Sequence, residues 1–146
     1  MTNFKLAPQL ANDTIELGKL TLCKVLLMND SQFPWIILVP QRTNITELYQ
    51  LEADDIKQAQ AESLMISKLL MQHFNGDKLN TGALGNMVPQ LHLHHIVRFK
   101  NDPVWPKPVW GNINAIAYST NEAKTLTNEL QALIKTQSTA FTETDE

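Results

Sequence analysis

The chain has 146 residues, the length of one domain and enough to enclose a sizeable core. Its formal charge of −3 gives no bulk attraction to nucleic acid or to an anionic membrane, so any phosphate contact must come from a few local donors. The one cysteine, Cys23, excludes an internal disulfide and reads as a buried apolar residue on a strand.

The opening Met-Thr-Asn-Phe-Lys lacks the apolar core of a secretory leader, and no apolar run is long enough to span a bilayer. A cytoplasmic protein is the expectation. Pro8-Gln9-Leu10-Ala11 opens a short helix. Thr14–Leu17, a turn at Gly18-Lys19 and the run Thr21–Met28 form a hairpin. After a polar break at Asn29–Gln32, Trp35–Val39 is apolar throughout, which suits a central strand covered on both faces. Pro40 ends it, because proline cannot donate to a ladder.

Asn44 with Glu47 three residues on predicts a helix start and a short helix to about Tyr49. Asp54-Asp55 then suit the first turn of a longer helix. Ile56, Ala59, Ser63, Ile66, Leu70 and Phe74 make its buried stripe, Asn75-Gly76 its stop, and His73 a packing or surface residue. Lys78–Leu84 is a moderate strand. Asn101–Gly111 is a loop with three prolines and two tryptophans. Ile113–Tyr118 reads as a further strand. Ser119 and Glu122 form a capping box for a last helix with Ala123, Leu126, Leu130 and Leu133 on one face. The polar tail from Ser138 is expected to fray. Interspersed strands and helices with hairpin pairings predict an α+β fold with a mostly antiparallel sheet.

The chemistry concentrates in Gln90–Phe99, read as one strand. Leu91, Leu93, Val97 and Phe99 fall on one face; Gln90, His92, His94, Ile96 and Arg98 fall on the other. His92 and His94 are then about 7 Å apart along the strand. A neutral imidazole can attack phosphorus, and a second at i+2 can assist a leaving group. Gly85-Asn86-Met87-Val88 could supply backbone amides to phosphoryl oxygens, and Asn80 a side-chain amide. Arg98 could reach an acidic group or lie at the rim. Alternating histidines can also be merely solvated, or can hold zinc, although no third ligand has obvious spacing.

The segment Asn80-Thr81-Gly82 … Gly85-Asn86-Met87-Val88-Pro89-Gln90-Leu91-His92-Leu93-His94 resembles the active-site segment of the histidine-triad (HIT) superfamily. Upstream, Leu26–Asp30 and Pro34–Pro40 look like that family's strand, acidic nucleotide loop and following strand. The resemblance runs from about Thr14 to Lys100. It implies a HIT-like sheet of about five strands with two central helices; with the C-terminal helix read from its capping box and the domain count read from length, the expectation is one domain over 1–146. The HIT-like core would be about 14–100, the C-terminal loop and helix 101–137, and the frayed tail 138–146.

The resemblance implies that His92 is a nucleophile forming a nucleotidyl-enzyme and that His94 contacts the bridging atom and leaving group. Gln90 stands where the family's first histidine supports the site through hydrogen bonds. Asn80 matches a phosphate-binding asparagine, and Gly85, Asn86 and Met87 lie in the turn that meets phosphate. Met87 replaces a Ser/Thr hydroxyl. Asn29 or Asp30 would hold the ribose hydroxyls, and the base would pack near Leu27 and Phe33. A shifted register, with His92 first and His94 as nucleophile, spoils the spacing from Gly85. His95 falls on the Leu91/Leu93 side, as a buried histidine or part of a subunit contact.

The implied activity is hydrolysis or transfer at the α-phosphorus of nucleoside phosphoramidates or dinucleoside polyphosphates. It calls for no metal or cofactor, a nucleotide as the small-molecule partner, and a homodimer. Two rival readings are a non-catalytic nucleotide-binding module, suggested by Gln90 and Met87, and a dimeric interaction protein that docks a partner on Trp105 and Trp110.

Overall fold

The computed structural model describes residues 3–144. Met1 and Thr2, on which the leader reading partly rests, and Asp145 and Glu146 at the end of the tail lie outside the described residues. The chain forms helix α1 (Pro8–Asp13), strands β1 (Thr14–Lys19), β2 (Cys23–Met28) and β3 (Trp35–Pro40), helix α2 (Ala53–Phe74), strands β4 (Lys78–Gly82) and β5 (Leu93–Arg98), helix α3 (Thr120–Gln137) and the short strand β6 (Thr142–Glu143). The sheet order is β4-β5-β3-β2-β1-β6, and every pairing is antiparallel.

Two apolar layers sandwich this sheet. Val25, Leu27, Ile36, Leu38 and Val97 face α2 and α3, meeting Ala59, Ile66, Leu70, Leu130 and Ile134. Leu26, Trp35, Ile37, Val39 and Ile96 face the other way, toward Leu10, Phe33 and Val109. The period-two alternation of strands explains the split, and β3, buried at all six positions, is the central strand its unbroken apolar run predicts. Cys23 is fully buried on the α2 side, and burial followed by the nearby Glu62 carboxylate drives its thiol pKa far upward. That carboxylate is itself buried, accepting the amides of Leu22 and Cys23, both at 2.9 Å.

Several expectations need correction. Among the described residues the sheet has six strands, in keeping with the expected number of about five, but the tail does not fray at 142–143, because those residues pair with β1 and Phe141 is buried. Of the two expected central helices, the first is only a 3-10 turn, Leu48–Gln50. Its capping box is closed by Glu47 and Gln50, whereas Asn44 has φ of 58° and caps nothing. The stop of α2 is Asn75, left-handed at φ 52°, with Gly76 following. Ile113–Tyr118 is not a strand, because its amides at Ile116 and Tyr118 go to the side chains of Asp30 and Asn29. The Ser119–Glu122 capping box on α3 is present.

Candidate functional site

The histidine segment enters its strand later than its alternation suggests. Residues 83–92 have no regular structure, and β5 begins at Leu93. The alternation nonetheless continues back through the loop. Leu91 joins the α2-side core, and the rings of His92 and His94 lie together on the opposite face with centroids 4.8 Å apart. Each is 7% exposed.

Hydrogen bonds set the protons on the three imidazoles. Nδ1 of His92 lies 2.7 Å from the carbonyl of Gln90, which can only accept. His92 therefore carries its proton on Nδ1 and keeps a lone pair on Nε2. Nδ1 of His94 accepts the indole N–H of Trp35 at 3.0 Å, so neutral His94 carries its proton on Nε2. Among the described residues, neither Nε2 has a protein partner, and neither is a fully buried orphan. Burial, then the adjacent His92 and His95, pushes the His94 pKa down to about 3. His95 points to the α2 side, fully buried, donating from Nδ1 to the Ile36 carbonyl at 3.2 Å and accepting from Ser63 Oγ at 2.7 Å. Burial holds its pKa at about 4, against the backbone bonds that favour the charged form.

Trp35 and Trp110 wall the pair. The Trp110 ring lies edge-on to His94 with centroids 5.3 Å apart, and Trp35 is tilted against it at 5.6 Å. Trp110 Nε1 is buried without a partner among the described residues. The sequence reading missed both contacts. Trp35 read as one more apolar strand residue, yet it lies on the His94 face: its partner across the ladder is Ile96, and His94 is paired with Ile37.

Asn80 lies on β4 opposite Ile96, on the imidazole face. Its Oδ1 accepts from Arg98 Nη1 at 2.8 Å, which leaves its NH₂ end free to donate. Of the two placements the sequence left open for Arg98, an acidic partner or the rim, the structure has the first, with Arg98 1% exposed. Asp102 takes its guanidinium in two bonds of 2.7 and 3.1 Å, and Phe33 and Trp105 flank it, each ring centroid 5.6 Å from Cζ. Desolvation acts to raise the Asp102 pKa, but the Arg98 bond and the amides of Phe99 and Val104 outweigh it and hold it below the usual range.

Gly85 adopts φ of 74°, the left-handed conformation that glycine tolerates. Asn86 and Met87 follow as exposed bends, with Met87 93% exposed. Among the described residues, the amides of Gly85 to Val88 make no hydrogen bonds within the chain. Asn29 and Asp30 are engaged internally. Asn29 Oδ1 accepts from Tyr118 N, and Asp30 Oδ1 from Gln32 N, Gln32 Nε2 and Ile116 N. Leu27 and Phe33 do not form one apolar surface for a base. Both are buried, on opposite sides of the sheet.

The Gln90 side chain turns to the N-terminal segment. Its Nε2 donates to the Lys5 carbonyl at 2.9 Å, and its Oε1 accepts from Ala7 N at 2.8 Å.

A depression of about 420 Å³ bounded by Lys78, Asn80, Thr81, Pro106, Pro108 and Trp110 adjoins the imidazole face. A groove of about 430 Å³ lies on the α2 side, lined by Leu48, Ala59, Ser63, Leu64, Leu93 and His95. Among the described residues, no group of three His, Cys, Asp or Glu side chains could hold a metal ion, and no helix is long and apolar enough to cross a membrane.

The HIT domain model matches residues 9–101 of the chain. Three solved histidine triad proteins share its fold. The one from Marinobacter aquaeolei VT8 is 47% identical, with a TM-score of 0.89 over 92% of this chain and 98% of its own. That from Sinorhizobium meliloti 1021 is 40% identical, with a TM-score of 0.86 over 93% and 98%. That from Bradyrhizobium japonicum is 36% identical, with a TM-score of 0.84 over 92% and 97%. A comparison with curated proteins found no match. The chain belongs to the histidine triad (HIT) family.

Proposed function

We propose that this HIT protein is a nucleotide hydrolase or nucleotidyl transferase acting at the α-phosphorus of nucleoside phosphoramidates or dinucleoside polyphosphates. The observation that carries this is the proton placement on the imidazole pair. His92 Nε2 keeps a lone pair because Nδ1–H is held by the Gln90 carbonyl, and His94 beside it presents an Nε2–H. The His92 lone pair forms the N–P bond, and the bond from phosphorus to the leaving nitrogen or oxygen breaks, its electron pair departing with the leaving group; a leaving nitrogen takes its proton from solvent and departs as ammonia or an amine. The Gln90 carbonyl stabilises the positive charge that develops on the phosphorylated ring. His94 donates a hydrogen bond to the leaving atom through Nε2–H. Its low pKa and its occupied Nδ1 make it a neutral donor, not an imidazolium acid. Water then attacks phosphorus and loses a proton to solvent, the N–P electron pair returns to Nε2, and the nucleoside monophosphate leaves with neutral His92 restored.

The unpaired amides of Gly85 to Met87 and the free NH₂ of Asn80 are the donors for the phosphoryl oxygens. Asn29 or Asp30 is the ribose ligand in this reading, and the three Asp30 bonds, all on Oδ1, favour Asp30 through its Oδ2. Gln90 fills the position of the first triad histidine and acts through its carbonyl. A homodimer is part of the proposal: β4 is an outer strand of the sheet, an edge proteins ordinarily cover, and Leu64 on α2 is 69% exposed. A cytoplasmic setting is part of the proposal, and the charge of −3 offers nucleic acid no bulk attraction.

The test is turnover of adenosine 5′-phosphoramidate. The native protein should release AMP and ammonia, and His92→Ala should lose turnover while keeping its melting temperature. Turnover by His92→Ala at the native rate would falsify the assignment. The rival reading, a nucleotide-binding module without chemistry, draws on the internal engagement of the Gln90 and Asp30 side chains. AMP binding without any product would establish it.

A further inference from the structure

Gln90 joins two parts of the chain through one residue. Its main-chain carbonyl fixes the His92 proton, at 2.7 Å. Its side-chain amide grips the peptide groups on either side of Leu6, donating a hydrogen bond to Lys5 O and accepting one from Ala7 N. This is the two-point contact that a neighbouring strand would make. The carbonyl at 90 has no ladder to hold it, because β5 begins only at Leu93. Its peptide group is held at the far end, where Leu91 N donates to Ile45 O at 2.9 Å, and the Gln90 side chain holds the residue from the Cα side. The gripped segment is itself anchored. Phe4, Leu6 and Ala7 pack on the imidazole-side core with Val88, and Pro8 starts α1 directly afterwards.

We propose that residues Lys5–Ala7 are a positioning element for His92, and that Gln90 transmits their hold to the carbonyl that sets the His92 tautomer. The proposal rests on His92 being the nucleophile, and it gives the glutamine a reason beyond replacing a histidine. A primary amide supplies one donor and one acceptor close together, as this contact needs. A carboxylate lacks the donor and would face the Lys5 carbonyl with charge. An imidazole's two nitrogens diverge and cannot close the same pair of bonds. The N-terminal segment and the first triad position therefore work as one unit.

The experiment is a four-way comparison of the native protein, Gln90→Ala, a deletion of residues 1–7, and the two combined, with Gln90→Glu as a near-isosteric control for packing. Nitrogen NMR of the histidine side chains reads the His92 tautomer. Turnover of adenosine 5′-phosphoramidate gives kcat and KM, and near-ultraviolet circular dichroism reports folding. In folded variants, His92 should move from the Nδ1–H form to a mixture, and kcat should fall about tenfold or more with little change in KM. The combined variant should be no worse than either alone, since both remove the same coupling. Retention of the Nδ1–H form in folded Gln90→Glu and in the deletion overturns the proposal, as does a full additive loss in the combined variant. If the native protein shows no turnover, the nucleophile reading fails separately, and the NMR comparison still decides whether the segment sets the tautomer.

Discussion

The indole N–H of Trp35 donates to Nδ1 of His94 at 3.0 Å, on a ring whose pKa is pushed down to about 3. A donor on Nδ1 leaves no room for a second proton on that atom, so Trp35 and burial act in the same direction. Trp35→Phe keeps an aromatic ring but removes the donor. The expected result is a loss of kcat of about a hundredfold, the order associated with a misplacement of about 1 Å. It should come with a new dependence of kcat on pH as His94 becomes free to protonate. A kcat–pH profile identical to that of the native protein would show that the indole bond has no part in catalysis.

Arg98 and Asp102 are both buried, and the guanidinium also holds Asn80. Arg98→Met leaves the Asp102 carboxylate without its main partner inside the fold. Breaking a buried pair from one side costs about 3–5 kcal/mol. Urea denaturation should show a drop of that order. Arg98→Lys should recover only part of it, because an ammonium cannot make the forked contact. A loss below about 1 kcal/mol for Arg98→Met would mean that the pair is not buried in solution.

His94 and His95 are held neutral by burial, with pKa values of about 3 and 4, below the ordinary 6.5. An unfolded chain protonates both near 6.5, whereas the folded one does not until about pH 4 and below. Between those limits the unfolded state binds more protons, so stability falls as pH drops from about 6.5 toward 4, by roughly one proton per histidine. Chemical denaturation at a series of pH values measures the slope. His95→Gln should reduce it by about one proton. An unchanged slope would mean that His95 does not stay neutral in the folded protein.

Gly18 faces the docked tail at close range: a Cβ added there would stand 2.2 Å from the Thr142 carbonyl and 2.8 Å from the Phe141 ring. Gly18→Ala should therefore release β6 and uncover Phe141, at a cost of about 1–3 kcal/mol typical of overpacking. Limited proteolysis should cut near residues 138–144 in the variant before it cuts the native chain. Equal cleavage rates would argue that the tail is not docked through this contact.

Local pattern made much of the fold legible. The apolar run at Trp35–Val39, the three-and-four spacing from Ile56 to Phe74 and the Ser119–Glu122 box each follow from residues within one element. What pattern hid depends on partners far along the chain. Gln90 bonds residues 83 and 85 positions away, and no periodicity announces that. Ile113–Tyr118 alternates like a strand, but its amides are taken by Asn29 and Asp30, out of reach of any ladder. Phe141 is a lone aromatic in a polar tail, so its burial could not be read from its neighbours. At the site, spacing put His92 and His94 on one face, and their rings do lie together; which nitrogen of each bears the proton depends on Trp35 and on the carbonyl at 90, which spacing does not encode.

Cys23 gives the chain a built-in clock. It is the sole sulfhydryl, sealed against the helical layer and starved of thiolate first by burial and then by the Glu62 carboxylate. An alkylating reagent can reach it only when β2 parts from its neighbours. The labelling rate in plain buffer therefore counts those openings one molecule at a time, with no engineered probe and no denaturant.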